Sequence, residues 1–157
     1  MAKRARALVE RFYHEVWNKA DAGVAYEILD PDFRFRGSLG QEKRGPEGFI
    51  VYMRSVHAAL ADYICIVEDL VEEDRRVAAR MTFHGRHVGR FFDVEPTGRI
   101  VTWAGAAFFT TDVERIVALW VLGDVDNIRR QLGAPSNAAF DGSLKSSPPP
   151  REGRRTD

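Results

Sequence analysis

Four segments decide the fold: YICIVEDLV (63–71), RVAARMTFHGRH (76–87), RIVTWAGAAFF (99–109) and RIVALWVLGD (115–124). Each is rich in β-branched and aromatic residues, and the breaks EED, DVEPTG and TTDVE separate them. The pattern predicts four successive strands joined by turns.

Upstream the period changes from two to between three and four. Ala5, Leu8, Val9, Phe12, Val16 and Trp17 recur at helical spacing and predict an amphipathic helix from Ala5 to Trp17. Asp21 can cap a second, short helix carrying Val24, Ala25, Ile28 and Leu29, which must stop near Asp30 because Pro31 disfavours helical geometry before it. A short strand, FRFR (33–36), follows. In it Phe33 and Phe35 share one face and Arg34 and Arg36 the other, so the arginines point either to water or into a cavity. Pro46 suits a first helical position, and Phe49, Ile50, Tyr52, Met53, Val56, His57 and Leu60 give a third helix a wide apolar face. Three helices before an antiparallel meander predict an α+β domain with helices packed on one face of a bent sheet.

At 157 residues the chain fits one domain, expected over residues 1–133. Residues 134–157, with a triple proline and few large apolar side chains, read as a disordered tail. No internal repeat is visible. Hydrophobic residues make up 45% of the chain and charged residues 29%, enough for a real core. Basic and acidic residues both number 23, so no sequence-wide basic field exists to attract nucleic acid or anionic lipid. No stretch approaches the roughly 20 apolar residues of a membrane span, and Glu10, Arg11 and Glu15 interrupt any signal-like core at the amino terminus. The single cysteine, Cys65, excludes an intramolecular disulfide framework and fits a reducing, cytoplasmic setting.

Few residues point directly to chemistry. GSLGQEKRG (37–45) lacks the glycine spacing of a phosphate loop. His84 and His87 are three apart on a strand and so face opposite ways, which argues against a shared metal. Cys65, in an apolar strand, reads as inert core. In the last strand Ala118, Trp120, Leu122 and Asp124 fall on one face. Asp124 therefore ends an apolar row and is a carboxylate tuned by an apolar pocket, unless Asp124 or Asp126 instead caps a following helix whose Ile128 and Leu132 point to core.

VERFYHEVWNKAD, ILDPDF, the GPEGF helix start, IVEDLVEEDRRVAARMTFHGRHVGRF, EPTGRIVTWAG and the closing WVLGDVDNIRRQLG together resemble the SnoaL-like polyketide cyclases, within the nuclear-transport-factor-2-like superfamily. The resemblance covers roughly residues 7 to 133. It implies a cone: a strongly curved sheet wrapped around an internal cavity and closed by the helices, with homodimers formed through the outer sheet face. It further implies chemistry without metal or cofactor, in which an aspartate near the end of the final strand, here Asp124, removes a proton alpha to a carbonyl so that an enolate closes a ring. His87 matches a histidine that can hydrogen-bond a substrate oxygen at the cavity mouth, and Trp17, Tyr52, Met53, Trp103 and Trp120 would line a flat apolar cavity. Phe35 and Arg36 stand where relatives commonly carry a cavity-facing histidine and its polar neighbour, and Ala107 where many carry a polar residue. Arg36 is then a candidate cavity cation. The expected activity is that of a cofactor-independent cyclase, isomerase or lyase on a small hydrophobic carbonyl compound. The alternative is a non-catalytic module that binds an apolar acid, with Arg36 pairing its carboxylate.

Overall fold

The computed structural model describes residues 3–38 and 40–133, so the expected tail (134–157) lies outside the described residues. Helix α1 (Lys3–Arg11) passes without a break into six residues of π-helix, Phe12–Trp17. One regular helix was expected here. The wider coil instead buries Phe12, Tyr13, Val16 and Trp17 together, and π-helical turns of this kind recur at functional sites.

Helix α2 (Ala22–Ile28) starts where the sequence indicates, with the Asp21 carboxylate accepting the Val24 N–H at 3.0 Å. It ends at Ile28, and the chain enters strand β1 (Leu29–Arg36) at once, earlier than the FRFR pattern suggested. Pro31 thus lies inside a strand. The register of β1 shifts between Leu29 and Arg34, and such an irregularity tolerates a residue with no N–H to donate. A short strand β2 (Glu42–Arg44), which the sequence did not announce, pairs with β1.

Helix α3 (Gly45–Ala59) carries Pro46 in its first turn and runs directly into β3 (Leu60–Glu73). Strands β4 (Arg76–His87), β5 (Ile100–Thr111) and β6 (Ile116–Gly123) complete the meander, and α4 (Val125–Leu132) closes the described chain. The six strands form one sheet in the order β2-β1-β6-β5-β4-β3. Only β1 and β6 are parallel; the other four pairings are antiparallel. The sheet is curved and unclosed, as the α+β cone reading expected. Two register shifts in β3, between Ala61 and Ile64 and between Val67 and Asp69, bend its long outer strand, and Asp62 takes a left-handed φ of 53° at the first.

The concave face meets the helices in a cluster of rings. Phe12, Phe33, Phe49, Phe109 and Tyr13 are all buried, with Phe12 5.2 Å from Phe49 and 5.5 Å from Phe109 between ring centres. On the convex face Ile64, Ile66, Phe108, Trp120 and Leu122 remain exposed.

Between β4 and β5 the chain makes a tight turn, with Phe91 and Val94 exchanging backbone hydrogen bonds at 3.1 and 3.0 Å. Its two central residues, Phe92 and Asp93, both have left-handed φ values, 50° and 58°. Glycine or asparagine would be at ease there; a phenylalanine is strained by roughly 1 kcal/mol or more. Contacts hold it in place. Phe91 packs edge-on at 4.6 Å between ring centres, and the Arg129 guanidinium lies 5.1 Å above the Phe92 ring.

Candidate active site

The concave face and the helices enclose a slot lined by side chains from nearly every layer. Tyr13 and Trp17 come from the π-helical segment, Tyr52 and Val56 from α3, Phe35 from β1, Tyr63 from β3, Phe83 from β4, Trp103 from β5, and Leu119 and Val121 from β6. Ser38 and Phe91 also reach it from the turns after β1 and β4. About 430 Å³ lies between the lining atoms, the open mouth included, but only about 20 Å³ takes the centre of a water-sized molecule. That is room for roughly one water. A larger ligand must part the rings.

Several contacts fix the lining. The Asn18 side chain exchanges hydrogen bonds with the Cys65 backbone, Nδ2 to the carbonyl at 3.1 Å and Oδ1 from the N–H at 2.8 Å, and so ties the end of the π-helical segment to β3. His57 Nε2 lies 2.8 Å from the Trp17 carbonyl, and its ring stacks on the indole at 6.3 Å. Gly105 leaves room for Phe83, whose ring would meet a Cβ there at 2.4 Å.

No charged side chain lines the slot among the described residues. Its polar groups are hydroxyls and one indole. Burial pushes the Tyr13 and Tyr63 phenols well above their ordinary range. It raises Tyr52 to about 12, against the opposing pull of a hydrogen bond with Ser38. These phenols stay protonated near neutral pH, so they can donate a hydrogen bond but cannot serve as bases. Trp103 Nε1 is buried with no hydrogen-bond partner among the described residues. A buried orphan donor is costly, and an acceptor seated in the slot would satisfy this one.

Cys65 is inert, as the sequence implied. Burial pushes its thiol up to about 12, and its S–H points to the Tyr63 hydroxyl at 3.5 Å. This and the buried phenols give a pH dependence. An unfolded chain ionises its thiol from about pH 9, whereas the folded chain holds the proton until about pH 12. The unfolded state therefore binds fewer protons in this window. Stability is full below about pH 9 and falls as pH rises, by up to about 1.4 kcal/mol per pH unit for each such group. Urea unfolding midpoints between pH 8 and pH 11 should decline, and a flat profile would contradict the buried, neutral assignment.

The expected site residues divide into those the fold brings together and those it does not. Trp17, Tyr52 and Trp103 line the slot. Met53 is buried but is not among the lining residues; it is core. Trp120 lies on the convex face, 44% exposed, and Arg36 is beside it, its guanidinium 5.0 Å from the indole centre and donating to the Val121 carbonyl. The Trp120 correction has a plain cause. In β6 the inward row is Leu119 and Val121, not Ala118, Trp120 and Leu122, and both rows are apolar, so alternation alone could not say which faced the helices. Arg34 and Arg36 then follow Trp120 outward through the β1–β6 pairing.

His87 is fully buried on the inward face of β4, away from the slot lining. The Thr97 N–H donates to its Nδ1 at 3.2 Å, and Nε2 has no hydrogen-bond partner among the described residues. His84, by contrast, meets Thr102 Oγ1 at 2.9 Å on the other face. Asp124 is exposed and caps α4, its Oδ1 accepting the Asn127 N–H at 3.0 Å. It follows Gly123, which does border the slot lining: an added Cβ on Gly123 would lie 2.6 Å from Ser38 Cβ and 3.5 Å from Trp103 Nε1. Sequence reasoning missed Tyr13, Tyr63 and Phe83. Tyr13 sits four residues before Trp17, and Tyr63 and Phe83 keep strand parity with the buried Cys65 and Met81, a signal that was available.

A profile of the SnoaL-like polyketide cyclases matches residues 7–132. The chain belongs to this family. A SnoaL-like protein from Jannaschia sp. CCS1 superposes with a TM-score of 0.78 at 22% identity, over 86% of this chain and 95% of that one. TsrD from Streptomyces laurentii superposes with a TM-score of 0.76 at 27% identity, over 86% and 98% respectively. In sequence, the chain is 30% identical over 88 residues to aklanonic acid methyl ester cyclase AcmA of Streptomyces galilaeus. That match spans 55% of this chain and about three-fifths, 61%, of AcmA. In this SnoaL-like chain the cone is present, and its interior is a narrow, uncharged aromatic slot.

Proposed function

We propose that the chain is a cofactor-independent acid/base enzyme that holds a flat, apolar carbonyl compound in the slot and closes or isomerises it, as a polyketide cyclase does. The observation that carries this reading is the orphan Trp103 N–H, bordering an uncharged slot beside protonated tyrosine hydroxyls and next to Gly123, the residue before Asp124. A carbonyl oxygen seated against that N–H gains a hydrogen bond that strengthens as negative charge develops on it. Asp124 has one oxygen engaged by the cap, which leaves Oδ2 to take the proton. In the cyclisation, a proton alpha to the carbonyl passes to the Asp124 carboxylate. The enolate carbon then bonds to a second carbonyl carbon of the same molecule, and the resulting alkoxide takes the proton back. No net proton is consumed.

Trp103→Phe tests the donor. It removes the N–H but keeps a ring, so affinity for a carbonyl ligand should fall about tenfold. Affinity for a ligand of the same shape with no acceptor should not change. Equal losses for both would mean that the indole only fills space.

The second reading, a non-catalytic binding module, is favoured by one fact: the lining contains no carboxylate among the described residues, and Asp124 already has work as a cap. Incubation of the protein with its bound ligand in heavy water separates the two. Exchange at the carbon alpha to the carbonyl supports the enzyme, and binding with no exchange and no product supports the module.

A further inference from the structure

We propose that the slot takes a two-part substrate: a flat carbonyl head that enters past the Phe91 ring, and a neutral, hydroxyl-bearing arm that stays outside in an adjoining cleft. This rests on the reading of the slot as the ligand site. The cleft, of about 450 Å³, lies between α3, Gln41 just ahead of β2, and the turn between β4 and β5. Its volume falls within the roughly 300–1,000 Å³ usual for small-molecule sites. The slot, by contrast, has free space for roughly one water.

Tyr52, Val56 and Phe91 line both spaces and so form the wall between them. Tyr52 and Val56 are each 5% exposed on α3, and the Tyr52 ring is held by Phe35 and Trp17, at 5.0 and 6.0 Å between ring centres. Every other aromatic ring of the slot lining is likewise buried and meets a ring from another element. Phe91 is the exception. It is half-buried, and among the described residues the ring it meets is Phe92, its neighbour in the turn. A head that must part the rings therefore displaces Phe91 first.

The backbone beneath Phe91 is held, so the movement is the side chain's own. Val88 and Gly89 both donate to the Ala59 carbonyl at the end of α3, at 2.9 and 3.1 Å. Phe91 and Val94 close the turn, and Arg129 grips the Phe92 ring from α4. Exchanging one staggered rotamer of Phe91 for another turns the ring toward the cleft and leaves all of these contacts in place.

The cleft's own groups select the arm. Val56, Ala59, Phe91 and Phe92 give its carbon skeleton an apolar wall, while Gln41 brings an amide and Ser55 a hydroxyl. The Ser55 proton is already given to the Tyr52 carbonyl at 2.7 Å, which leaves the oxygen to accept. Arg90 and Asp93 are the charged groups of the lining, and they pair at 3.4 Å, with Glu95 3.7 Å from the same guanidinium. A carboxylate arm would compete with those two acids for Arg90, and an ammonium arm would be repelled by it. A purely apolar arm would strip water from Gln41 and Ser55 with no hydrogen bond in return. A hydroxyl donates to Ser55 and accepts from Gln41, and meets none of these costs.

The test compares 2-acetylnaphthalene, the head alone, with the same ketone bearing a hydroxypropoxy or a carboxyethoxy arm on its far ring, by titration and stopped-flow mixing with the whole chain. The hydroxyl arm should tighten binding about tenfold over the head alone, and the carboxylate arm should not. Gln41→Ala with Ser55→Ala should erase that advantage. Phe91→Ala should raise the association and dissociation rates of the head together, each at least fivefold, because a gate changes both, whereas a ring that only fills space changes dissociation alone. Phe91→Leu, a milder change, should fall between, and circular dichroism checks that the variants fold. With the head still weakened about tenfold by Trp103→Phe, four results overturn this inference alone: no gain from the hydroxyl arm, an equal gain from the carboxylate arm, a gain that survives the double variant, or unchanged rates in both Phe91 variants. A head that fails to bind, or that binds equally well to Trp103→Phe, overturns the reading of the slot and this inference with it.

Discussion

Asp124→Asn is expected to lower turnover by about 10²–10⁴-fold, the usual contribution of a positioned acid/base group, on any carbonyl substrate the wild-type chain converts. The substitution is informative because of where Asp124 sits. Its side chain caps α4 through the Asn127 N–H, and asparagine ranks with aspartate as a cap. The helix therefore survives, as does the slot's affinity for ligand, and only the proton acceptor is lost. Asp124→Ala makes the comparison complete, because it removes cap and carboxylate together and should cost about 1 kcal/mol of stability in addition. Full activity in the asparagine variant would end the proposed role and leave Asp124 as a cap alone.

Phe49→Ala should produce the largest loss of stability, about 3–5 kcal/mol. Phe49 is fully buried on α3 and meets Phe12, Trp17, Phe33 and Phe35 with ring centres 5.1 to 6.2 Å away. Deleting it removes the ring that joins the π-helical segment to β1. A loss of that size is a large share of the roughly 5–15 kcal/mol that holds a domain together. The midpoint of urea unfolding measures it, and a shift worth less than about 1 kcal/mol would mean that the cluster collapses around the gap without cost. Because Trp17 and Phe35 also line the slot, the same variant should bind ligand less selectively.

The elements themselves were largely legible in the sequence, because helical and strand periods differ and the Asp21 cap and Pro46 are local signals. The interior was legible only where one face of an element was plainly apolar. Phe33 and Phe35 pack inward opposite two arginines, as alternation required. Strand β6 offers no such contrast, since Trp120 and Leu122 are as apolar as Leu119 and Val121, and the inward face is decided by pairing with β1 and β5. Arg36 was drawn inward by the family resemblance, against the alternation with Phe33 and Phe35 that turns it outward. His87 was harder still, because its orientation is set by the Thr97 backbone ten residues away, a contact that no periodicity encodes.

The parallel pairing of β1 with β6 also governs when the molecule can exist. Arg36 binds the carbonyl of Val121, 85 residues later in the chain, and β2 joins the sheet only through β1. During synthesis, β3 to β5 can zip together as they emerge, but β1 has only the three-residue β2 to pair with until β6 has left the ribosome. Contacts so distant in sequence slow folding. The N-terminal third must wait, its aromatic residues in need of shelter, for the strand that completes the sheet.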